Sequence, residues 1–458
     1  MFFERTLYAD LISWAQESNL ALYLEGPRQV GKTELLKKLG REGFKHCVYI
    51  DVRLEAERFV SLMEQQRRAF GRTAFPEEMG EVWEGVFRGF DSSYTNDRHT
   101  LVILDEIQES PIIYNSIRYI RRGLKSKLAV SGSYLGIVTQ SKDYWLATGD
   151  LDIRELSSLT FTEFLKANGI WDEYDAIATF DLSKMTDSEK ATCEQVRELY
   201  KIYCQIGGYP PVVEAWVENR DADACKRMSA LILQLLYRES SSYFGDVIGS
   251  GLWSRTLERL AADITTKTGE LDITLAREEF RDEGSRGLEI RRKDKVNALK
   301  WLDDCKIIGV VQVYSKLNKV AVPGNKNLFF FRDMGMLARL CKDSFLIAPS
   351  DIAGMLAENF TYLQLLDMLG PIFAGSQVWS YNGSLGQIDF VMHNENHRRF
   401  GIEVKHGSGG TKSGDKALAE GKIDCLVRIQ DTYGSVSDNQ LTIPIFMLDK
   451  LRLIYPLN

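Results

Sequence analysis

The segment GPRQVGKT at residues 26–33 constrains this chain more than any other stretch of its 458 residues. Phosphate groups need several donors converging on a small volume with no side chain in the way. Gly26 and Gly31 let the backbone curl so that successive N–H groups point inward. An apolar run, LALYLEG, leads into the segment and a helical stretch leads out, bringing the positive end of a helix dipole to the loop. Lys32 supplies a mobile cation for β- and γ-phosphates, and Thr33 offers a hydroxyl to Mg²⁺. Gly26, Pro27, Arg28, Gln29, Val30, Gly31, Lys32 and Thr33 are therefore expected to cradle ATP, or ADP after turnover.

The surrounding pattern supplies a frame for such a loop. The runs LALYLEG, HCVYIDV, TLVILDE and KLAVSGS each lead into turn chemistry or a helical stretch, which is the α/β pattern of a parallel sheet. Residues 65–99 interrupt it with a polar and aromatic insert, read as helix plus loop. LVILDEIQ at 101–108 is an apolar strand ending in two carboxylates. Asp105 at its tip can hold Mg²⁺ through water, and Glu106 can orient or polarise an attacking water. The run LAVSGS ends in Ser131 and Ser133, either of which can sense a γ-phosphate from a neighbouring strand. Fast hydrolysis also needs an arginine, and Arg118, Arg121, Arg122, Arg154 and Arg238 are the candidates.

Beyond residue 155 the chain reads as mainly helical to about 250, broken by IGGYPP at 206–211, a strong turn signal. VNALKWLDDC at 296–305 has helical apolar spacing, and IIGVVQVY and LFFFRD follow it, the order of a winged helix. From about 345 a helix over 352–369 precedes the strands QVWSYN, GQIDFVMH and RRFGIEVKH. There Glu403 and Lys405 differ by two and project from one face of their strand, and a hairpin brings Asp389 beside them. Two carboxylates make a hard oxygen site suited to Mg²⁺, a lysine beside it can steady a scissile phosphate, and Glu358 on the preceding helix can add a carboxylate. The same spacing also fits a hairpin with salt-bridged surface charges. His406 points the opposite way from Lys405 and reads as a surface residue.

Composition removes several classes. No apolar run approaches a bilayer span, so no membrane partner is expected. The N-terminal MFFERTLYADLISWAQ reads as an amphipathic helix rather than a secretory leader. Seven cysteines without a CxxC pair point to neither zinc nor disulfides, which suits a cytoplasmic protein. A net charge of −7 argues against non-specific coating of nucleic acid, though not against a local basic groove.

EGPRQVGKTELL, LVILDEIQ, the SGS strand end, SLTFTEFL and GGYPPVV together resemble a large group of prokaryotic AAA-type ATPases close to the STAND-like archaeal ATPases. In that group the ATPase is followed by a winged helix and a C-terminal domain of unknown function that resembles the restriction-endonuclease, or PD-(D/E)xK, fold. FFFRDMGMLARL, the helix with Glu358, Asn359 and Phe360, and IDFV with IEVK match the order seen there. The resemblance implies nucleotide and Mg²⁺ roles for Lys32, Thr33 and Asp105 and a catalytic role for Glu106. It aligns Asp389, Glu403 and Lys405 with a nuclease-like triad and Glu358 with a helix carboxylate. Two positions depart from it: LATGDLDIREL stands where the group often has Leu-Ala-Gly-Arg, and Gln387 stands where an acidic residue is common.

The expected organisation is a P-loop ATPase domain over 1–170, a helical segment over 171–255, a winged helix over 256–340 and a nuclease-like α/β domain over 341–458. The expected activity is ATP hydrolysis coupled to that last domain acting on DNA. The rival expectation is an ATP-gated module that binds DNA or a protein partner without cutting. Association into a homo-oligomer is compatible with either.

Overall fold

The computed structural model describes residues 2–69, 80–133, 144, 149–244, 299, 301–317, 322–343, 349–370, 378–394, 397–405, 412–434, 437 and 439–453. Its contacts divide it into two compact units: Met1–Ser157 with Asp304–Lys306, and Ser158–Asp303 with Ile307–Asn458.

The first unit is built on five parallel strands, β1 (Ala21–Glu25), β2 (His46–Asp51), β3 (Thr100–Asp105), β4 (Lys127–Gly132) and β5 (Leu151–Glu155), in the spatial order β2-β3-β4-β1-β5. Every residue of β3 and β4 is buried, which is why their apolar runs show no alternation. Helices Lys32–Gly43, Val52–Ala69, Gly80–Phe90 and Pro111–Gly123 pack around the sheet. Phe59, Trp83, Phe87, Ile113, Tyr114 and Ile117 meet Tyr23, Val102, Leu104 and Val130 in one core cluster. Ser110 starts the last of these helices by accepting the Ile113 N–H, with Pro111 in the first turn, where its missing donor costs nothing. Because all five strands run the same way, the ends of β1, β3 and β4 open on one edge of the sheet. β5 was not anticipated. Its half-exposed alternation, LDIRE, carries none of the continuous apolar character of a buried strand.

In the second unit a helical layer precedes a mixed sheet. Helices Phe161–Ala167 and Asp187–Ile206 each begin with a full capping box, Thr160 with Glu163 and Thr186 with Glu189. Helices Pro210–Asn219 and Ala222–Phe244 follow. The sheet has the order β12-β11-β10-β9-β8-β6-β7, from β6 (Ile308–Lys316), β7 (Val322–Phe331), β8 (Val378–Gly383), β9 (Gly386–His393), β10 (Arg399–Val404), β11 (Cys425–Gln430) and β12 (Gln440–Pro444). β8, β9 and β10 form an antiparallel meander, and β10, β11 and β12 run parallel. Helix Lys412–Ala419 makes the crossover from β10 to β11.

The ribbon expected as the wing of a winged helix is part of this sheet. β6 pairs antiparallel with β7 and parallel with β8, with Val313 opposite Ser380. Residues 256–298, the first part of the span expected as a winged helix, lie outside the described residues, as does His406.

One titrating group in this unit has a measurable consequence. The Asp367 carboxyl is pushed up to about 7, by burial first and then by the Glu163 carboxylate. Folded, it holds its proton at a pH where the unfolded chain has released it. The stability it contributes is fully present below the ordinary carboxylate value of about 4 and is lost as pH rises through about 7. The residue keeps some solvent contact, so the expected effect is about 2 kcal/mol rather than the full shift. Asp367→Asn is expected to raise the melting temperature at pH 8 and to leave it nearly unchanged at pH 4. An Asn variant whose melting temperature falls between those pH values as steeply as the parent's would show that Asp367 is not the group responsible.

Candidate functional site

The loop after β1 has the backbone that phosphate binding demands. Gly26 and Gly31 have φ of 146° and 95°, and Gln29 is also left-handed at 64°. A Cβ at Gly26 would fall 2.0 Å from the Leu156 carbonyl oxygen, so only glycine fits there. Helix Lys32–Gly43 begins directly after the loop. Lys32 is buried, and its Nζ donates to the carbonyls of Gly26 and Pro27, each at 2.8 Å, and to Ser133 Oγ at 2.9 Å. Arg5, also buried, braces the loop from behind by donating to the Val30 carbonyl at 2.8 Å and the Ser157 carbonyl at 2.7 Å.

Asp105 ends β3 beside this loop. Its Oδ2 accepts from Thr33 Oγ1 at 2.7 Å and from the Tyr49 hydroxyl at 2.8 Å. Its Oδ1 accepts from Ser131 Oγ and from the Glu106 N–H at 3.1 Å. A carboxylate and a hydroxyl this close are hard oxygen donors of the kind Mg²⁺ takes, so the donor set fits that ion. The two serines divide their work: Ser131 steadies Asp105 and Ser133 steadies Lys32. Burial and the Asp105 carboxylate both raise the Tyr49 phenol, keeping it a donor, and Lys37 Nζ lies 4.3 Å from its ring centre.

The C-terminal row is assembled by strand register. Phe390 of β9 lies opposite Ile402 of β10, so one further step sets Asp389 opposite Glu403. On the other side Glu403 lies opposite Arg428 of β11. Asp389 Oδ2 accepts the Val404 N–H at 2.8 Å. Glu403 Oε1 accepts the Gly414 N–H at 2.6 Å, in the first turn of helix Lys412–Ala419, and its Oε2 lies 3.8 Å from Lys405 Nζ. Burial pushes the Glu403 carboxyl up, against the pull of the Gly414 N–H and of Lys405. Arg428 is held by Asp415 and by Gln440 Oε1.

Glu358 does not complete a cluster. Among the described residues no three of His, Cys, Asp or Glu converge as a metal site, so the expected set of Glu358, Asp389 and Glu403 is not assembled as one. The neighbouring Asn359 has a structural task instead, clasping the N–H and the carbonyl of Phe331 on β7 at 2.7 and 3.0 Å.

Residues 18–165 match the family described as "AAA domain". The N-terminal unit is a P-loop ATPase domain of the AAA type. Residues 197–345 match a family described as "Domain of unknown function (DUF8612)". Among solved structures, the chain aligns with the Walker-type ATPase PABY2304 of Pyrococcus abyssi at 15% identity and a TM-score of 0.41, covering 74% of this chain and 96% of that one. It aligns with the Aeropyrum pernix ORC2 protein in its ADP form at 13% identity and a TM-score of 0.29, covering 77% and 92%. The ORC1 protein of Aeropyrum pernix in complex with DNA aligns at 13% identity and a TM-score of 0.26, covering 76% and 94%. No curated protein matches. No described helix is long and apolar enough to cross a membrane.

Three of the arginine candidates, Arg118, Arg121 and Arg122, are tied down at the end of the sheet away from the phosphate loop. Arg118 and Arg122 both pair with Asp150, at 3.2 and 3.0 Å, and Asp150 immediately precedes β5 at the opposite end of the strands. Arg121 donates to the Asn19 and Leu124 carbonyls at that same far end. Arg154 pairs with Asp152 at 2.9 Å, and both line a cleft of about 360 Å³ with Asp10, Trp14 and Glu17 of the N-terminal helix. Arg238 lies on helix Ala222–Phe244 of the second unit. An arginine not singled out from sequence does lie at the phosphate edge. Arg53, just after β2, donates Nε and a terminal nitrogen to Asp51 at 3.1 and 2.7 Å, and Asp51 is the register partner of Asp105. Tyr49, Arg5 and Gln108 were also missed, because each acts through a register or a fold-back that no local motif records.

Proposed function

We propose that this chain is an ATP-driven switch in which the AAA domain binds and hydrolyses Mg·ATP and thereby governs a nuclease-like C-terminal sheet acting on DNA. The observation that carries the first half is the convergence of Lys32, Thr33, Asp105, Glu106 and Ser133 on one sheet edge. Backbone N–H groups of residues 26–31 and Lys32 Nζ take the phosphate oxygens. Thr33 and Asp105 are the residues that would hold Mg²⁺, which when bound neutralises charge on those oxygens. Glu106 orients the water that attacks the γ-phosphorus, and Ser133 keeps Lys32 aimed at the loop.

The second half rests on topology and on one row of residues. Helix Pro349–Leu369, the meander β8-β9-β10, the crossover helix and the parallel β11 follow the order of the restriction-endonuclease core. The reading is supported by register, which sets Asp389 opposite Glu403, with Lys405 Nζ 3.8 Å from Glu403 Oε2. A second reading, ATP-gated binding of DNA or a protein partner without cleavage, is favoured by one observation: Glu403 is engaged by the Gly414 N–H at a helix start and burial pushes its carboxyl up, while among the described residues no third acidic group converges on it and Asp389.

Two assays test these halves separately. Glu106→Gln is expected to cut ATP turnover by about a hundredfold or more while ATP affinity stays within a few-fold of the parent; turnover at the parental rate would leave Glu106 a structural turn residue. Plasmid DNA incubated with the chain and Mg²⁺ or Mn²⁺ is expected to be nicked, and Asp389→Ala and Lys405→Ala are each expected to abolish the nicking. Intact plasmid with the parent protein would select the binding reading, and nicking that persists in both variants would remove the row as its source.

A further inference from the structure

Glu106 is held in a way the P-loop pattern does not require. Its backbone is left-handed, at φ 54° and ψ 47°, a region uncommon for a residue with a side chain. A single 3₁₀ turn, Ile107–Glu109, follows, with Ile107 packed into the core. That turn carries Gln108 back beneath Glu106, and Gln108 Nε2 donates to Glu106 Oε2 at 2.5 Å. Gln108 is 7% exposed, and its own carbonyl accepts the Tyr144 hydroxyl at 2.7 Å.

The far side of the amide is equally specific. Gln108 Oε1 is buried with no partner among the described residues, and so is the hydroxyl of Tyr23. A Cβ at Gly132 would fall 2.7 Å from that Oε1 and 2.8 Å from the Tyr23 hydroxyl, so the glycine leaves the room in which the amide sits. An unpaired buried amide oxygen is a cost that a simple core position would avoid by taking an apolar side chain of like volume. The hydrogen bond to a carboxylate is what a glutamine does here that methionine or leucine cannot. The other acceptor of the amide nitrogen is Glu109 Oε1, at a long 3.4 Å.

We infer that Gln108 is the positioning residue of the hydrolytic site: its side-chain amide holds the Glu106 carboxylate in the orientation from which it directs the attacking water. The inference rests on the assignment of Glu106 above. A misplaced general base costs turnover without weakening ground-state binding. Gln108→Met, which keeps the volume and loses the donor, is expected to lower kcat by about ten- to a hundredfold with the ATP Kd unchanged. Gln108→Glu, nearly the same shape, sets a second carboxylate against Glu106 and is expected to do the same, so a single misfolded variant does not decide the question. In the Glu106→Gln background, where the carboxylate is gone, Gln108→Met is expected to have no further effect on the residual rate. Full turnover in Glu106→Gln would overturn the functional assignment itself. Slow Glu106→Gln with parental kcat in both Gln108 variants would overturn the inference alone. So would a Gln108→Met loss of equal size in both backgrounds, because independent effects multiply.

Discussion

Lys32→Ala is expected to weaken ATP binding by about a thousandfold, the largest effect of any single change in the ATPase domain. The ammonium donates to two loop carbonyls and to Ser133, so it is both the charge that meets the phosphates and a tie that holds the loop closed on itself. Hydrogen bonds to charged groups contribute about 1.5–3 kcal/mol each, and about 1.4 kcal/mol is a factor of ten. Losing two such contacts to phosphate oxygens therefore removes about three decades of affinity. The neighbouring Gly26 and Pro27 carbonyls lose their donor as well, which costs stability in the nucleotide-free protein. Lys32→Met separates the two effects, because it fills the space without supplying a donor. Equilibrium binding of a fluorescent ATP analogue, with a thermal melt to confirm folding, reads both. A folded Lys32→Ala protein with an ATP Kd within threefold of the parent's would refute the P-loop assignment.

The ends of β1, β3 and β4 were legible because buried parallel strands write themselves as unbroken apolar runs, and the motifs sit at their ends. Gly26, Lys32, Thr33, Asp105 and Glu106 follow one another at spacings that local sequence fixes. The residues that tune the site were not legible for the converse reason. Tyr49 reaches Asp105 only because β2 and β3 pair with His46 opposite Thr100, and nothing local records that register. Arg5 reaches the Val30 carbonyl across 25 residues. The arginines tied to Asp150 could be dismissed only once the strand direction placed Asp150 at the wrong end of the sheet.

In the second unit, elements were read well and their partners less well. The β6–β7 ribbon was visible as two apolar runs, IIGVVQVY and LFFFRD. Its membership of the C-terminal sheet depends on the pairing of Val313 with Ser380, a contact too distant in sequence for pattern to reveal. The hairpin of β9 and β10 was visible because its connection is short, and with it the approach of Asp389 to Glu403. That Glu403 would cap helix Lys412–Ala419 follows only from the crossover returning Gly414 over the sheet.

IGGYPP was legible as a turn but not as the joint it forms, and this joint is where a single methyl group should do most damage to the second unit. Gly207 ends helix Asp187–Ile206 at φ 74°, and the next helix starts at Pro210. Gly208 donates its N–H to Asp333 Oδ2 at 2.8 Å and offers its carbonyl to the Leu159 N–H at 2.7 Å. Asp333 is buried, and its Oδ1 also accepts the Met336 N–H at 2.9 Å, so one carboxyl ties the turn to the start of helix Met334–Asp343. A Cβ at Gly208 would meet the Leu159 oxygen at 2.0 Å, its nitrogen at 2.8 Å and its carbonyl carbon at 2.9 Å, all main-chain atoms with no rotamer to escape into. Relief must come from opening the Leu159–Gly208 hydrogen bond or from pulling Gly208 off Asp333. Either route leaves buried polar groups unpaired in addition to the strain of overpacking, so Gly208→Ala is expected to cost about 3 kcal/mol or more. Gly354→Ala is the matched comparison: it lies in helix Pro349–Leu369 with nothing among the described residues within 4 Å of its added carbon, and there alanine's higher helix propensity should stabilise by up to about 1 kcal/mol. Urea unfolding followed by far-UV circular dichroism should move the two variants in opposite directions from the parent. A Gly208→Ala midpoint equal to the parent's would mean that the turn has an alternative seat and that Asp333 is not what holds it.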